Sequence, residues 1–379
     1  MKKLIVGITA PGSVILLEGQ LNYFKEQGYK TYLLAPSDEK VTKYCEKEGC
    51  EHLPIEIKRD ISIKNDIKSL IQIYKHLKRI KPDVINFGTP KVSLLGIFAA
   101  RLLGIKNRVY TCRGYRFEHE AGFKRKILKA LEKFTATCAH NVICISNSVR
   151  TFGLNNNLFS KEKSLVINKG SSNGLNLERF DPLMIKPTDL NSKKQEIGIN
   201  DEDFVFGFVG RLVDRKGINE LYHVFDKLFL NNKQLKLVVV GPIEKEQIAD
   251  DTLIEKMNSH KGIIMTGTKY NVPLYLSLMD VFVLPAWWEG FGNVLIQAAA
   301  MGIPVISTNV TGCKDAVSDG FNGVLIEAKS ESALEETMLE FYQTKELRET
   351  YGKNGIKWSR NFDSEVIWNG MNELFKKRL

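Results

Sequence analysis

Short apolar runs rich in β-branched residues alternate along the chain with stretches whose apolar residues recur at helical spacing. In the first half, these runs predict strands at 4–8, 31–34, 84–87, 109–112 and 142–145. The spacing between them predicts helices that include 19–27, 67–80 and 123–137. Strands separated by helices of this length indicate βαβ units and therefore a parallel sheet.

A second series of the same kind follows the polar stretch 170–203, which we interpret as a linker. Its predicted strands are 205–209, 237–240, 263–265, 281–284, 304–307 and 324–326, and a final helix is predicted at 365–377. The pattern predicts an α/β protein of two doubly wound, Rossmann-like domains facing each other across a cleft. We place the first domain at 1–172 and the second at 173–361, and we expect the C-terminal helix within 362–379 to pack back on the first. Ligands of such sheets bind at the carboxyl ends of the strands, so the cleft is the expected site.

Charge is divided unevenly between the two halves. Residues 1–170 carry 30 Lys and Arg against 15 Asp and Glu, whereas residues 171–379 carry 24 against 29. A basic half with a net charge of +15 favours an anionic partner, such as phosphate groups or a lipid surface. A solvated basic face is the alternative. No nucleic-acid-binding module accompanies the charge, so we expect no nucleic-acid partner.

Cysteine usage and hydropathy indicate a cytoplasmic protein. The six cysteines form no C-x-x-C pair and no spacing that suits zinc, which is typical of a reducing compartment. No apolar run approaches the roughly 18 residues that span a bilayer. Lys2 and Lys3 followed by 4–17 superficially resemble a signal peptide, but Pro11 and Gly12 interrupt that run, and we favour a buried first strand.

The familiar phosphate-binding motifs are incomplete. Gly7 and Gly12 have the spacing of a P-loop, but Ser13 stands where the lysine would follow, which argues against a P-loop NTPase. No G-x-G-x-x-G opens either half, which argues against an NAD-linked oxidoreductase. The turn at Gly12 and Ser13 still allows backbone N–H groups to approach a ligand, with a plain strand-to-helix turn as the alternative.

A more specific constellation lies in the second half. The predicted strand 205–209 runs into GRLVDRKG, in which Arg211 and Lys216 could hold a diphosphate by charge-assisted hydrogen bonds. The strand 281–284 leads to Glu289, Gly290 and Gly292 and then to a helix whose N-terminus favours an anion. A basic surface loop, and a glutamate that offsets the helix dipole, are the alternatives for the separate pieces.

Together with DVFVLPAWWEGFGNVLIQAAAMGIPVIST and GCKDAVSDGFNGVLI, these segments resemble the donor half of glycosyltransferase family 4, retaining enzymes of GT-B fold. In the first half, VYTCRGYRFE and INKGSSNGLNLERF are similar to bacterial members that build capsule, O-antigen and related glycans. The resemblance implies transfer of a sugar from a nucleotide sugar, such as UDP-N-acetylhexosamine or a UDP-hexose, to a polyprenyl-diphosphate-linked glycan in surface polysaccharide synthesis.

The resemblance also implies roles for individual residues. Arg211 and Lys216 would grip the donor diphosphate, Glu289 would contact the donor sugar, and the nucleobase would rest on 267–270. The other expected donor contacts are Gly12, Ser13, Gly210, Gly267, Thr268, Lys269, Gly290, Phe291, Gly292, Asn293, Val294 and Gln297.

Two positions depart from the family pattern. Gln297 replaces the second acid of the E-x7-E motif, which in the family binds the ribose hydroxyls. Arg113 stands where many relatives carry a histidine, and an arginine stays protonated and cannot act as a general base. We expect Arg113 and Arg116 to meet a phosphate or to orient the acceptor, with a structural ion pair between Arg113 and Glu118 or Glu120 as the alternative.

The expected chemistry follows from the charges. Arg211, Lys216 and the helix start at 291–294 can neutralise the departing diphosphate, so we expect neither a metal ion nor a cofactor. Retention implies that a phosphate oxygen of the leaving group takes the acceptor proton. A nucleotide-sugar epimerase of the same fold, and a catalytically silent sugar-nucleotide binding protein, remain the alternatives.

The stretch 123–134 predicts a basic amphipathic helix with Phe123, Ile127, Leu131 and Phe134 on one stripe. Such a helix can lie on an anionic bilayer. With the basic first half, it favours a lipid-linked acceptor and a peripheral position at the inner face of the cell membrane. The alternative is an ordinary helix whose stripe packs in the core.

Overall fold

The computed structural model describes residues 1–58 and 62–379, apart from the side chain of His119. The chain forms two compact units. Unit 1 comprises Met1–Gly174 together with Ser364–Leu379, and unit 2 comprises Leu175–Asp363. None of the described helices combines the length and the apolar composition needed to cross a lipid bilayer.

Unit 1 is built on a parallel sheet of seven strands in the order β3-β2-β1-β4-β5-β6-β7. The strands are β1 (Lys2–Gly7), β2 (Tyr29–Ala35), β3 (Glu51–Pro54), β4 (Val84–Phe87), β5 (Arg108–Cys112), β6 (Asn141–Cys144) and β7 (Ser164–Leu165). The helices between them are α1 (Gln20–Glu26), α2 (Glu39–Glu48), α3 (Ile63–Ile80), α4 (Pro90–Leu102), α5 (Gly122–Cys138) and α6 (Asn147–Asn155). Short 3₁₀ helices lie at Pro11–Leu17 and Arg116–His119.

The apolar side chains of the unit 1 strands fill both faces of the sheet. On one face, Ile5 and Ile85 pack in a buried cluster with Ile73 of α3 and Ile97 of α4. On the other face, strand residues that include Leu4 pack with α1, α2 and the C-terminal helix. Strands buried on both faces explain the continuous apolar runs of the sequence.

Unit 2 repeats the same topology with six parallel strands in the order β10-β9-β8-β11-β12-β13. The strands are β8 (Phe204–Val209), β9 (Leu235–Val240), β10 (Ile263–Gly267), β11 (Val281–Leu284), β12 (Val305–Thr308) and β13 (Gly323–Ile326). The helices are α7 (Pro187–Ile197), α8 (Ile218–Asn231), α9 (Leu253–Ser259), α10 (Val272–Leu276), α11 (Asn293–Ala300), α12 (Cys313–Ala316), α13 (Glu331–Gln343) and α14 (Lys345–Ser359). The predicted pair of doubly wound α/β folds is confirmed for each unit.

The chain ends in α15 (Ser364–Lys376), which belongs to unit 1. Its Ile367, Met371 and Phe375 are buried in the same cluster as Phe24 of α1. The interpretation of 170–203 as a linker is wrong for its central part. There α7 forms, and it accommodates Pro187 because a proline in the first turn costs no helical hydrogen bond.

Candidate active site

The predicted donor residues of unit 2 lie where the strand order reverses. β8 pairs with β9 on one side and with β11 on the other, and both crossovers leave from the carboxyl ends of these strands. Loop 210–217 follows β8, and loop 285–292 follows β11. This switch point is the usual ligand site of a doubly wound sheet.

The two loops touch because Gly217 has no side chain. Its φ is +72°, and a Cβ there would lie 2.0 Å from the Pro285 carbonyl oxygen at the end of β11. The Trp287 N–H also donates to the Arg215 carbonyl at 2.9 Å, and the Arg215 guanidinium stacks on the Trp288 ring. These contacts hold the basic loop against the loop that carries Glu289.

Lys216 and Glu289 form an ion pair at the base of this contact. Their side chains are only 13% and 12% exposed, so water screens the pair weakly. The two residues are 73 positions apart in the sequence, and the structure brings together the predicted cation and the predicted sugar-binding carboxylate.

Arg211 is paired with a carboxylate that the sequence analysis did not single out. Its Nη1 donates to both oxygens of Glu244, at 3.0 and 2.8 Å. Gln247 donates to the same carboxylate. Glu244 follows β9, and its backbone N–H donates to the Leu212 carbonyl, which fixes it beside the basic loop. No local motif marks Glu244, since its partner lies 33 residues away.

The loop that follows β12 contacts the backbone of Glu289. The Glu289 N–H donates to the Thr311 carbonyl at 3.1 Å. Gly312, with φ at +81°, lies so close that a Cβ would be 2.6 Å from the Glu289 carbonyl oxygen. Burial, and then the Glu289 carboxylate, raise the pKa of the neighbouring Cys313 thiol to about 12.

The other predicted donor residues of unit 2 lie in four different settings. A helix begins after Gly292, as predicted, so Gly290, Asn293 and Val294 lie near the N-terminus of α11, which favours anions. The Phe291 ring is buried against Phe362, so only its backbone is available to a ligand. Half-buried positions include Gly210 and Gln297, while Gly267, Thr268 and Lys269 are exposed at the end of β10.

In unit 1, Gly12 and Ser13 lie in the 3₁₀ helix after β1, and Gly12 is exposed. The preceding loop is tied to the loop after β4. The Thr9 N–H donates to Thr89 Oγ1 at 2.8 Å, and the two hydroxyls are hydrogen bonded to each other. These two threonines were not predicted, because nothing in the sequence pairs them.

The structure separates the two arginines of the acceptor side. Arg116 is exposed on its 3₁₀ helix. Arg113 follows β5 and donates to Ser172 Oγ and to the Leu16 carbonyl. Among the described residues, no ion pair joins Arg113 to Glu118 or Glu120: Arg113 donates to a hydroxyl and a carbonyl, and Glu120 pairs with Lys124.

The apolar stripe of α5 faces solvent. Phe123, Ile127 and Phe134 are 76%, 41% and 42% exposed, whereas Leu131 is half-buried. The alternative that this stripe packs in the core is therefore wrong for three of its four residues. α3 carries a second exposed stripe of Ile63, Ile67 and Ile71, and α4 packs against both helices.

Two family models match the chain. The model described as glycosyl transferases group 1 matches residues 189–358, which contain the loops of Arg211, Lys216 and Glu289. The model described as glycosyl transferase 4-like matches residues 8–146.

Two curated relatives more than 30% identical to the chain illustrate the similarity. The chain is 34% identical to the capsular polysaccharide biosynthesis glycosyltransferase CapM of Staphylococcus aureus, over 97% of the chain and 95% of that protein. It is 35% identical to an Escherichia coli UDP-Gal:α-D-GlcNAc-diphosphoundecaprenol α-1,3-galactosyltransferase, over 71% of the chain and 68% of that protein.

Among solved structures, the Anabaena protein HepE, in complex with UDP and glucose, shares the fold. It matches with a TM-score of 0.82 and 17% identity over the full length of both chains. Together with the topology of each unit, this likeness identifies the fold as GT-B, as predicted.

Proposed function

The chain belongs to the group 1 glycosyl transferases, and we propose that it transfers a sugar from a UDP-sugar, with retention, to a glycan carried on polyprenyl diphosphate. Capsule or O-antigen synthesis is the proposed setting. Two relatives support it, one named for capsular polysaccharide and one for a UDP-galactose donor and a diphosphoundecaprenol acceptor.

The observation that carries the donor assignment is the meeting of Arg211, Lys216 and Glu289 at the switch point of unit 2. Two cations and a helix N-terminus at the ends of adjacent strands suit a diphosphate. Without donor, each cation is held by a carboxylate, so binding exchanges Glu244 and Glu289 for phosphate oxygens. Released from Lys216, the Glu289 carboxylate is free to accept hydrogen bonds from sugar hydroxyls.

The proposed reaction breaks the bond between the sugar C1 and the β-phosphate oxygen. That electron pair leaves with UDP, and Arg211 and Lys216 stabilise the charge that develops. The acceptor hydroxyl oxygen forms the new bond to C1 on the face that UDP leaves, and its proton passes to a β-phosphate oxygen. Side-chain cations supply the electrostatic stabilisation in this scheme, so we propose transfer without a metal ion.

We further propose that unit 1 docks on an anionic membrane surface. The exposed stripes of α3 and α5 belong to one helical layer, because α4 packs against both. Exposed basic residues flank the stripes, namely Lys64, Lys68, Lys124, Arg125 and Lys126. Apolar side chains bordered by cations suit the boundary between anionic headgroups and acyl chains.

The test is an assay of UDP and sugar released from a panel of UDP-, GDP- and ADP-sugars, with and without a polyprenyl-diphosphate-linked acceptor. The proposal predicts UDP release that requires the acceptor, together with a glycosylated lipid whose anomeric configuration matches the donor. Turnover of donor without acceptor would indicate an epimerase or hydrolase. Binding without turnover on any acceptor would indicate a silent binding protein.

A further inference from the structure

One half-buried arginine at the carboxyl edge of the unit 1 sheet has no acidic partner among the described residues. The Arg113 Nε donates to Ser172 Oγ at 2.7 Å, and Nη2 donates to the Leu16 carbonyl at 3.3 Å. Within the described residues, its Nη1 has no acceptor and no carboxylate forms an ion pair with it. At least two of its five N–H donors are therefore left for a ligand.

The surrounding backbone is shaped to this guanidinium. Gly88 follows β4, and a Cβ there would lie 1.8 Å from Arg113 Nη1, so no larger residue fits while the guanidinium keeps its place. β4 and β5 are neighbours in the sheet, which brings the two residues together. Gly88 thus forms one wall of a cradle for Arg113.

The opposite wall is the loop 170–174, and it is held under backbone strain. Ser171 has φ at +139°, a conformation that a residue with a side chain adopts only when its surroundings enforce it. The Ser171 N–H donates to the Ile145 carbonyl at 2.7 Å. The Asn173 side chain is hydrogen bonded to Gln20 and Trp368. Ser172 is therefore presented to Arg113 from a fixed backbone.

Arg113 remains charged in this position. Burial lowers its pKa to about 10, while Tyr110 and Cys112 act in the opposite direction. At neutral pH the guanidinium is still protonated. A partly desolvated cation is costly unless an opposite charge compensates it, and within the described residues no carboxylate forms an ion pair with Arg113.

We infer that Arg113, in its cradle of Gly88 and Ser172, is a binding site for a diphosphate group. This inference rests on the proposed function, because the reaction brings two diphosphates to the protein. One belongs to the nucleotide sugar and the other to the lipid-linked acceptor. In either case Arg113 is a binding group and never a proton acceptor, which distinguishes it from the histidine of many relatives.

The test uses the full-length Arg113→Gln variant with two arms. One arm measures the Kd for UDP by calorimetry, and the other measures the KM for a polyprenyl-diphosphate disaccharide. Loss of the charged contact predicts at least a tenfold increase in one of the two. A raised Kd for UDP assigns the site to the donor, and a raised acceptor KM with unchanged Kd assigns it to the acceptor.

Arg150→Gln is the matched control, because Arg150 also donates Nε to a serine hydroxyl and Nη2 to a carbonyl. It should leave both constants within twofold of the wild type. Gly88→Ala should raise the same constant as Arg113→Gln, because the added methyl group displaces the Arg113 guanidinium without removing it. Folded Arg113→Gln and Gly88→Ala proteins with wild-type Kd and KM would overturn the inference. Absence of UDP binding and turnover in the wild type would instead refute the proposed function.

Discussion

The carboxyl edges of the two sheets share one topology, but the cations at these edges have different hydrogen-bonding partners. In unit 2, Arg211 and Lys216 are each paired with a carboxylate. In unit 1, Arg113 has a hydroxyl and a carbonyl for partners. Under the proposed function, an anionic ligand would replace a carboxylate at Arg211 and Lys216, whereas at Arg113 it would add an anion beside a hydroxyl and a carbonyl. The two sheet edges therefore differ in how their cations are compensated by neighbouring side chains.

The contrast extends to the surface and core of unit 1. The helix α5 exposes cations beside apolar side chains. On its inner side, the half-buried Glu132 accepts a hydrogen bond from the Tyr110 hydroxyl at 2.7 Å. Unit 1 thus leaves charges of both signs without a close ion pair, while unit 2 compensates those of its site internally.

The largest expected effect tests the exposed basic surface of unit 1. Changing four exposed residues of α5 to Glu should release the protein from vesicles that contain anionic lipid. Each basic residue near such a surface contributes about 1 kcal/mol, so four reversals should lower partitioning by roughly a thousandfold. Co-sedimentation at low and high salt measures the effect. The four residues are Lys124, Arg125, Lys126 and Lys133.

The matched control places four reversals on exposed lysines of unit 2. It makes the same change in net charge and should leave vesicle binding of unit 1 largely in place. Equal pelleting of both variants, or no pelleting of the wild type, would contradict membrane docking by α5. The control residues are Lys233, Lys245, Lys261 and Lys353.

The next largest effect tests the half-buried carboxyl group of Glu132 in unit 1. Burial raises the pKa of Glu132 from 4.5 to about 7, although the Tyr110 hydrogen bond and Arg116 act in the opposite direction. The unfolded chain loses this proton near pH 4.5 and the folded protein near pH 7. The free energy of unfolding should therefore fall between these values, by roughly 3 kcal/mol at most.

Glu132→Gln keeps an acceptor for Tyr110 and removes the titration. We expect this variant to match the wild type near pH 4.5 and to be more stable at pH 8, as measured by urea unfolding across that range. A wild type and a variant with parallel stability profiles would show that Glu132 is ionised freely in the folded protein.

The paired cations of unit 2 should show the next largest effect. Arg211→Ala and Lys216→Ala each remove a charge-assisted contact worth about 1.5–3 kcal/mol, so turnover should fall at least tenfold. Lys216→Ala should cost more, because it also leaves the buried Glu289 without its counter-charge. Initial rates of UDP release test this ranking. Wild-type rates in both folded variants would show that the diphosphate does not bind to Arg211 and Lys216.

A smaller effect separates the two positions of the E-x7-E motif. Glu289→Gln should lower kcat more than Gln297→Ala, because Glu289 is the proposed contact to the reacting sugar and Gln297 only to the ribose. A neutral acceptor in place of a charged one weakens a hydrogen bond by about 1 kcal/mol, or roughly fivefold. The reverse ranking in kcat would mean that the donor lies in the opposite orientation.

The smallest effect tests whether phosphate replaces Glu244 as the partner of Arg211. Glu244→Gln removes the carboxylate that competes with phosphate for Arg211, so UDP should bind more tightly. The pair is 43% and 30% exposed, which limits the gain to about fivefold. Glu246→Gln makes the same change of charge at the neighbouring exposed position and should leave the Kd unchanged in calorimetry. Weaker binding in Glu244→Gln alone would show that Glu244 orients Arg211 for the ligand.

Most of the fold could be predicted because the central strands are buried on both faces. The runs at 84–87 and 281–284 match β4 and β11 residue for residue. The edge strands β3 and β7 were missed, since Glu51–Pro54 holds one buried residue and Ser164–Leu165 spans two positions. Pro182 and Pro187 suggested a linker where α7 begins. From the sequence alone, a proline in the first turn of a helix cannot be distinguished from a proline in a linker.

The site was predictable where its chemistry is local in the sequence. GRLVDRKG and the loop of Glu289 each combine charge with glycine over a few residues. Glu244, Gly88 and Ser172 have no such context. Their roles depend on contacts made across 33, 25 and 59 positions of the chain, which the tertiary fold brings together.

The central claim is that acceptor-dependent transfer depends on the paired cations of unit 2. It is tested most directly by measuring released UDP and glycosylated lipid in the same reaction, for the wild type and for the Arg211→Ala/Lys216→Ala double variant. We predict one UDP for each glycosylated lipid in the wild type and a loss of both products by at least a hundredfold in the folded double variant. Release of UDP at an equal rate without acceptor, or a double variant as active as the wild type, would contradict it.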